Sequence, residues 1–294
     1  MTVNAALLRW RKSEIPYALL RNGIIKFSSI FNPEMRKQMR IIGDNQRFRG
    51  ILRGKRCFII GNGPSLKKRD LSLLEDEIVF TCNSITQMEG FDKLKTNYHF
   101  WMDPNFFKGD DYVHHMKNIK TVNNSPVVFF PVEQKQFVCD HALDRELDIH
   151  YFKSAYTLYE GYNKDIDFCK ILPLVTTVVM IEIYLAIYMG AKEIYLLGCD
   201  CTGAISHIRS LENNYVREME YAYDMTDKER RLRQIAYEAD GNEFFFYLQS
   251  KGFQHYRLLN NYCSKRGIKI VNCTAGGILN EIPRENFEDV INRK

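Results

Sequence analysis

The chain has 294 residues, of which 45% are hydrophobic, and its formal net charge is +5. This length and apolar content allow one full-sized α/β core with smaller appendages, and they argue against a disordered or fibrous protein. The N-terminus lacks an apolar core followed by a cleavage site, and the eight cysteines include no C-x-x-C pair, so a cytoplasmic protein without structural zinc or disulfides is expected.

The basic excess is confined to the N-terminus. Residues 1–56 contain thirteen Lys or Arg against three Asp or Glu, whereas the rest of the chain is negative by five. Apolar side chains such as Trp10, Tyr17 and Phe27 are interleaved with these charges. This pattern predicts a basic amphipathic N-terminal arm, residues 1–55, in peripheral contact with the inner face of a membrane. A solvated helix, or an arm packed on another subunit of a homo-oligomer, is the open alternative, and nucleic acid is not an expected partner.

Short apolar runs alternate with helix-like segments through the body of the chain. The predicted strands are 56–60, 78–82, 98–102, 127–130, 194–197 and 268–273. Helices are predicted at about 176–189 and 242–265. The alternation predicts a Rossmann-like, mainly parallel, doubly wound sheet with ligands at the carboxyl ends of its strands.

Two further segments bear on the domain organisation. Residues 171–190 are long and apolar enough to imitate a transmembrane span, but Pro173 and Glu182 interrupt them and a strand pattern follows at once, so a core helix is predicted. Residues 201–240 are polar and charged, which predicts a helical lid. The predicted catalytic domain is therefore 56–275, with a tail at 276–294.

The sharpest motif is the turn after the first predicted strand, Gly61-Asn62-Gly63-Pro64-Ser65. Two glycines allow close approach of a ligand, and their amides, with the helix predicted to begin at Pro64, would stabilise a phosphate. The turn is neither a dinucleotide fingerprint, because Leu66 occupies the place of the third glycine, nor a Walker loop, because no Gly-Lys-Ser/Thr follows. It predicts a phosphate cradle, with a plain tight turn as the alternative.

Other polar residues lie where strands end or helices begin. Asn83 and Asp103 follow the second and third predicted strands, Asp200 follows the strand at 194–197, and Thr176 and Thr177 begin the central helix. Asn83 has a donor and an acceptor for a base or ribose, and Asp103 could bind ribose hydroxyls or accept a proton. Each of these residues could instead serve as a cap or orient a turn.

His207 and His255 join Asp103 as candidate catalytic bases. No Asp-x-Asp motif is present to hold a divalent ion under a diphosphate. Metal-independent chemistry without a cofactor is therefore expected, with amides, hydroxyls and cationic side chains stabilising the departing phosphate.

Three motifs together resemble a known family. The segment Ile59 to Leu66, the pair Cys82-Asn83, and the unit from Thr176-Thr177 to Asp200 are similar to the bacterial sialyltransferases of glycosyltransferase family 42. They also resemble the wider set that includes motility-accessory glycosyltransferases and an archaeal hydroxymethylpterin diphosphokinase. The resemblance, which covers about residues 56–275, implies a variant of the GT-A fold. It implies that Asn62 and Asn83 contact the nucleotide and that Thr176 and Thr177 meet the donor.

The sequence therefore predicts an inverting glycosyltransferase that uses a nucleotide sugar, CMP-linked in first place and UDP-linked as the alternative. The sugar would be sialic acid, a related nonulosonate or another sugar, and the acceptor a saccharide or lipid-linked saccharide in bacterial surface-glycan assembly. A Mg²⁺-dependent diphosphokinase of the hydroxymethylpterin type is the second enzyme hypothesis. A non-catalytic nucleotide-binding protein at the membrane is the third.

Overall fold

A seven-stranded, all-parallel sheet organises the part of the chain that the computed structural model describes, residues 11–121, 125–206 and 220–293. The strands, in chain order, are β1 (Arg56–Ile60), β2 (Val79–Cys82), β3 (Tyr98–Phe100), β4 (Val127–Pro131), β5 (Ile149–Phe152), β6 (Ser154–Tyr156), β7 (Leu172–Pro173), β8 (Glu193–Leu197) and β9 (Lys269–Asn272). The large sheet has the order β5-β4-β3-β2-β1-β8-β9, and β6 and β7 form a separate pair.

Helices flank this sheet. They are α1 (Ile15–Phe31), α2 (Pro33–Gly43), α3 (Val113–Asn118), α4 (Lys135–Asp140), α5 (Val178–Tyr188), α6 (Asp227–Lys265) and α7 (Phe287–Ile291). α6 is two helices joined at a kink, because Gly241 has the non-helical angles φ 67° and ψ 167°. The second half begins where the sequence predicted a helix at 242.

The central strands are apolar on both faces because both faces are covered. In β1, Cys57 and Ile59 pack in the layer that contains α5, whereas Phe58 and Ile60 pack in the opposite layer. Parallel strands buried in this way appear in a sequence as continuous apolar runs. The α/β, Rossmann-like fold predicted from those runs is confirmed.

The apolar segment before β8 is a core helix, as predicted. Ten of the eleven residues of α5 are buried, including Glu182. Among the described residues, no helix has the length and apolar character needed to cross a bilayer.

The core extends past both predicted domain boundaries. Ile42 and Phe48 from the N-terminal arm are buried, as are Phe287 and Val290 from the C-terminal tail. Within the predicted lid, residues 207–219 lie outside the described residues, so the lid as a unit stays a prediction.

The turn after β1 leads into a short 3-10 helix, Pro64–Lys68, and not into the predicted α-helix. The amide of Leu66 donates to the Gly63 carbonyl at 3.2 Å, and the chain is extended again at Arg69. A five-residue 3-10 turn aligns few peptide dipoles, so the positive helix end expected beside this turn is not present.

Candidate functional site

A cavity of about 1020 Å³ opens at the carboxyl ends of the central strands. It lies where the strand order reverses, because β2 to β5 extend from β1 in one direction and β8 and β9 in the other. In open parallel sheets, ligands bind at such a switch point. The segments that follow β1 and β8 line the cavity, together with the first turn of α5 and parts of α1 and α6. Of the residues singled out in the sequence, the lining contains Gly61, Asn62, Gly63, Pro64, Thr176, Thr177, Asp200 and His255.

The glycines of the turn after β1 hold two strand ends together and do not present their amides to a ligand. Gly61 donates its N–H to the Leu197 carbonyl and Gly63 to the Gly198 carbonyl, both at 2.8 Å. The expectation that these two amides cradle a phosphate is therefore corrected. Both glycines are required by close approach: a Cβ on Gly63 would lie 1.8 Å from Oδ2 of Asp200, and one on Gly61 would lie 2.6 Å from the Gly198 oxygen.

Asp200 is fixed beside this turn. The Ser65 hydroxyl donates to Asp200 Oδ2 at 2.8 Å. Burial raises the pKa of the Asp200 carboxyl, and hydrogen bonds from Ser65 and the charge of Arg284 offset part of that rise. Asp200 is therefore a positioned acceptor at the cavity wall, and Ser65 acts on the site through it.

The first turn of α5 also lines the cavity. Thr177 is the N-cap, in extended conformation, and its side chain makes no capping bond. Its Oγ1 lies 3.1 Å from the Tyr256 hydroxyl instead. Val178 and Val179 line the cavity, and no acceptor for their amides is found among the described residues. Unpaired amides at a helix N-terminus stabilise an anion.

Asn62 offers a further unsatisfied group. Its backbone carbonyl accepts from Ala222 at 2.9 Å, which fixes the residue. Its Oδ1 atom is buried and has no hydrogen-bond partner among the described residues. A buried amide oxygen without a partner is costly in a protein interior, so a ligand donor at this position would be favoured.

His255 lines the cavity from α6. Burial, reinforced by the charge of Lys251 and opposed by that of Glu14, lowers the pKa of His255 to about 4. Its Nδ1 atom is buried and has no partner in the described part of the chain. The imidazole is therefore neutral at pH 7 and able to accept a proton. The other candidate histidine, His207, lies outside the described residues.

Asn83 and Asp103 are not among the residues that line the cavity. Asn83 has a positive φ of 49°, and its Oδ1 accepts from the Met102 amide at 3.1 Å, so it ties the ends of β2 and β3 together. Asp103 caps a 3-10 helix by accepting from the Asn105 amide at 2.9 Å. Their predicted roles toward donor and acceptor stay predictions that the cavity does not support.

The cavity also contains charged residues that the sequence analysis did not single out. Arg21 of α1 lines it and donates to the Ala155 carbonyl at 2.6 Å and to Thr157 Oγ1 at 2.9 Å. No carboxylate among the described residues pairs with Arg21, whereas Lys251 is held by Glu14 at 2.5 Å. The only sequence sign of Arg21 was its place in the basic arm, which did not indicate that the arm folds back to the cavity.

Metal ligands do not gather in this part of the chain. Within residues 11–121, 125–206 and 220–293, no three His, Cys, Asp or Glu side chains lie close enough together to hold a metal ion. Mg²⁺ bound through one or two carboxylates and substrate phosphates is compatible with that arrangement.

Comparison with known proteins gives one family and several similar folds. A family model described as MptE-like, 6-hydroxymethylpterin diphosphokinase MptE-like, matches residues 34–204, more than half of the chain. No curated protein matches.

Three solved structures are similar in fold. The sialyltransferase CST-II in complex with a trisaccharide acceptor and CMP is 21% identical, with 78% of this chain and 86% of that one covered and a TM-score of 0.45. The sialyltransferase CstII from Campylobacter jejuni with cytidine-5'-monophosphate is 21% identical, with 79% of this chain and 85% of that one covered and a TM-score of 0.44. The MAf glycosyltransferase from Magnetospirillum magneticum AMB-1 is 13% identical, with 85% of this chain and 38% of that one covered and a TM-score of 0.45.

Proposed function

The chain belongs to the MptE-like family, and from the geometry of its cavity we propose that it transfers a sugar from a nucleotide-activated donor to a hydroxyl acceptor. The observation that carries the proposal is the open first turn of α5. Val178 and Val179, whose amides have no acceptor among the described residues, line a cavity of about 1020 Å³, large enough for a nucleotide sugar and the end of an acceptor.

The donor phosphate is assigned to this helix end. Negative charge on the departing phosphate grows as the sugar bond breaks, and fixed amides stabilise it without reorganisation. Arg21, which has no carboxylate partner among the described residues, adds a positive charge at the same cavity. Asn62 and Asp200 offer acceptors for the amino group of a base or for ribose hydroxyls.

His255 is the proposed catalytic base. It would take the proton of the acceptor hydroxyl as an oxocarbenium-like centre forms at the sugar. Since its pKa is lowered to about 4, the acceptor form persists through neutral pH, and activity should fall only as the pH approaches 4. His255 lines the cavity, and its buried Nδ1 atom has no hydrogen-bond partner among the described residues.

A donor panel tests the proposal. CMP-, UDP- and GDP-linked sugars are incubated with the purified protein in EDTA, with and without saccharide acceptors, and nucleotide release is measured. One donor class should turn over, with CMP-linked sugars tested first because the sequence motifs resemble those of sialyltransferases. His255→Gln should lower kcat by about a hundredfold or more while donor binding is kept.

The matched control is His114→Gln, since His114 is an exposed histidine on α3 that contacts Asn118. It should keep full activity. Absence of turnover with every donor, or equal loss in both variants, would contradict the assignment.

A second candidate is diphosphate transfer from ATP to a small alcohol, and the description of the matched family favours it. Both reactions require a nucleotide phosphate site and a group that accepts a hydroxyl proton. They differ in metal demand, because diphosphate transfer requires Mg²⁺. AMP release from ATP that depends on Mg²⁺ and on an added alcohol would identify this second reaction.

A further inference from the structure

α1 has its apolar side chains on the outside. The residues of α1 that are buried against the protein are Ala18 and Asn22. Seven large apolar side chains lie on the opposite side and are between 52% and 67% exposed: Tyr17, Leu19, Leu20, Ile24, Phe27, Ile30 and Phe31. This arrangement is the reverse of an ordinary surface helix, whose apolar stripe faces the core.

Hydrogen bonds hold the inner side of α1 in place. Asn22 Nδ2 donates to the Thr157 carbonyl at 3.0 Å, and Asn22 Oδ1 accepts from the Thr157 amide at 2.7 Å. Arg21 adds its two bonds to Ala155 and Thr157. The orientation of the helix is therefore fixed by polar contacts, and the outer apolar face is a built feature of the fold.

That face is too large to be scattered surface hydrophobicity. α1 has 17 residues and is about 25 Å long, and the seven exposed side chains recur along it at helical spacing. Contiguous apolar patches of this kind mark a surface that binds a partner or a membrane.

The charges around the face select the partner. Apart from the inward Arg21, α1 has exposed Lys26 and no acidic residue, and α2 follows with exposed Arg36, Lys37 and Arg40 against one acidic residue, Glu34. An apolar face with basic residues beside it is the composition of a helix that lies in the interface of an anionic bilayer. A second copy would bring the same positive charges together, which disfavours a symmetric dimer through this surface.

We propose that the outer face of α1 inserts into the surface of an anionic bilayer and thereby places the cavity at that surface. Glu14, Tyr17 and Arg21 line the cavity from this end of the chain, and Tyr17 belongs to the cavity wall and to the apolar face at once. Leu174, Tyr247 and Leu248, each at least 39% exposed, also line the cavity. Given the proposed function, the acceptor is a saccharide carried on a lipid.

Vesicle flotation tests the docking without any sugar donor. The purified full chain is mixed with vesicles of phosphatidylcholine alone or with phosphatidylglycerol added. Binding should require the anionic lipid and weaken with salt. The triple variant Leu20→Glu, Ile24→Glu, Phe27→Glu should lower the partition by about tenfold or more, because each side chain loses its transfer from water.

The control variant carries Ile51→Glu and Leu73→Glu, which change apolar residues that are 45% and 47% exposed outside α1. It should bind as the unchanged protein does, and circular dichroism should show that all three proteins are folded. Equal flotation of the triple variant and the control, or no flotation of the unchanged folded protein, would overturn the proposal. A dimer in solution that the triple variant dissociates, without vesicle binding, would assign the face to a second copy and overturn it as well.

The acceptor class has a separate readout. Transfer to a lipid-linked saccharide in anionic vesicles should fall in the triple variant, whereas transfer to a free saccharide should not. Equal activity of the two proteins on the lipid-linked acceptor would refute the acceptor assignment. Failure of all donors in the presence of normal flotation would remove the proposed function and leave the docking intact.

Discussion

Glu182 is a carboxyl group in the middle of α5 with no exposed surface. Neither of its oxygens has a conventional hydrogen-bond partner among the described residues, and the Cys82 thiol offers only a weak one. Burial raises the pKa of this carboxyl well above its ordinary value, so it is protonated in the folded protein at neutral pH. An unfolded chain would ionise the same group, and ionisation therefore favours unfolding.

We expect Glu182→Gln to stabilise the protein increasingly as the pH rises. At pH 4 the two proteins should have similar free energies of unfolding, because Glu182 is protonated in the folded and largely in the unfolded state. Above the unfolded pKa the unchanged protein loses up to about 1.4 kcal/mol per pH unit, a loss that ends at the folded pKa. Urea denaturation at several pH values measures the difference. The exposed Glu75→Gln is the control, and parallel stability curves for Glu182→Gln and the unchanged protein would contradict the account.

Only some of the side chains at the cavity could be placed there from the sequence. Asp200 and Thr177 follow apolar runs whose ends could be found from the printed sequence, and both line the cavity. Asn83 and Asp103 satisfy the same rule and are absent from the lining. Their side chains accept instead from the backbone amides of Met102 and Asn105. Arg21, in α1, lies more than thirty residues before the start of β1, and only tertiary folding brings it to the cavity.

At the scale of elements, segments that form clear apolar runs were predictable, including the edge strand β9, whereas short or half-buried strands were not. β1, β2, β8 and α5 are buried throughout or nearly so, and each appears as an apolar run. β5 is an edge strand that begins with two half-buried residues, and β6 and β7 have three and two residues, too few for a pattern. The α-helix expected after Gly63 is a 3-10 turn. Pro64 could not distinguish the two, because a proline at the first position is compatible with an α-helix and with a 3-10 helix.

The close packing of the turn after β1 predicts that it does not tolerate a larger side chain at Gly63. Gly63→Ala would bring a Cβ within 1.8 Å of Asp200 Oδ2 and 2.6 Å of the Gly198 carbonyl oxygen. The backbone must shift, so we expect a loss of about 1 to 3 kcal/mol in the free energy of unfolding and weaker nucleotide binding. Chemical denaturation and calorimetry measure the two effects.

Gly109→Ala is the matched control, because nothing lies within 4 Å of a Cβ at that position. It should leave stability and binding unchanged. If Gly63→Ala were as stable as this control, the turn would not be the tight junction between β1 and β8 that the structure describes.

Over the whole molecule, the fold brings three features to one edge of the sheet. The cavity opens at the switch point between β1 and β8, the first turn of α5 lines it, and α1 adds Arg21 to its lining and carries an exposed apolar face. Alternation of strands and helices indicated the sheet and its ligand edge. It could not indicate which amides are unpaired, because the hydrogen bonds from Gly61 and Gly63 to the carbonyls at the end of β8 form only in the folded chain.

The phosphate site at α5 is tested by crystals soaked separately with CMP, UDP, GDP, and ATP with Mg²⁺. We expect one of these nucleotides to order in the cavity with a phosphate oxygen at about 3 Å from the amide nitrogens of Val178 and Val179. A phosphate bound elsewhere, or a cavity that stays empty at saturating concentrations of every nucleotide, would contradict it.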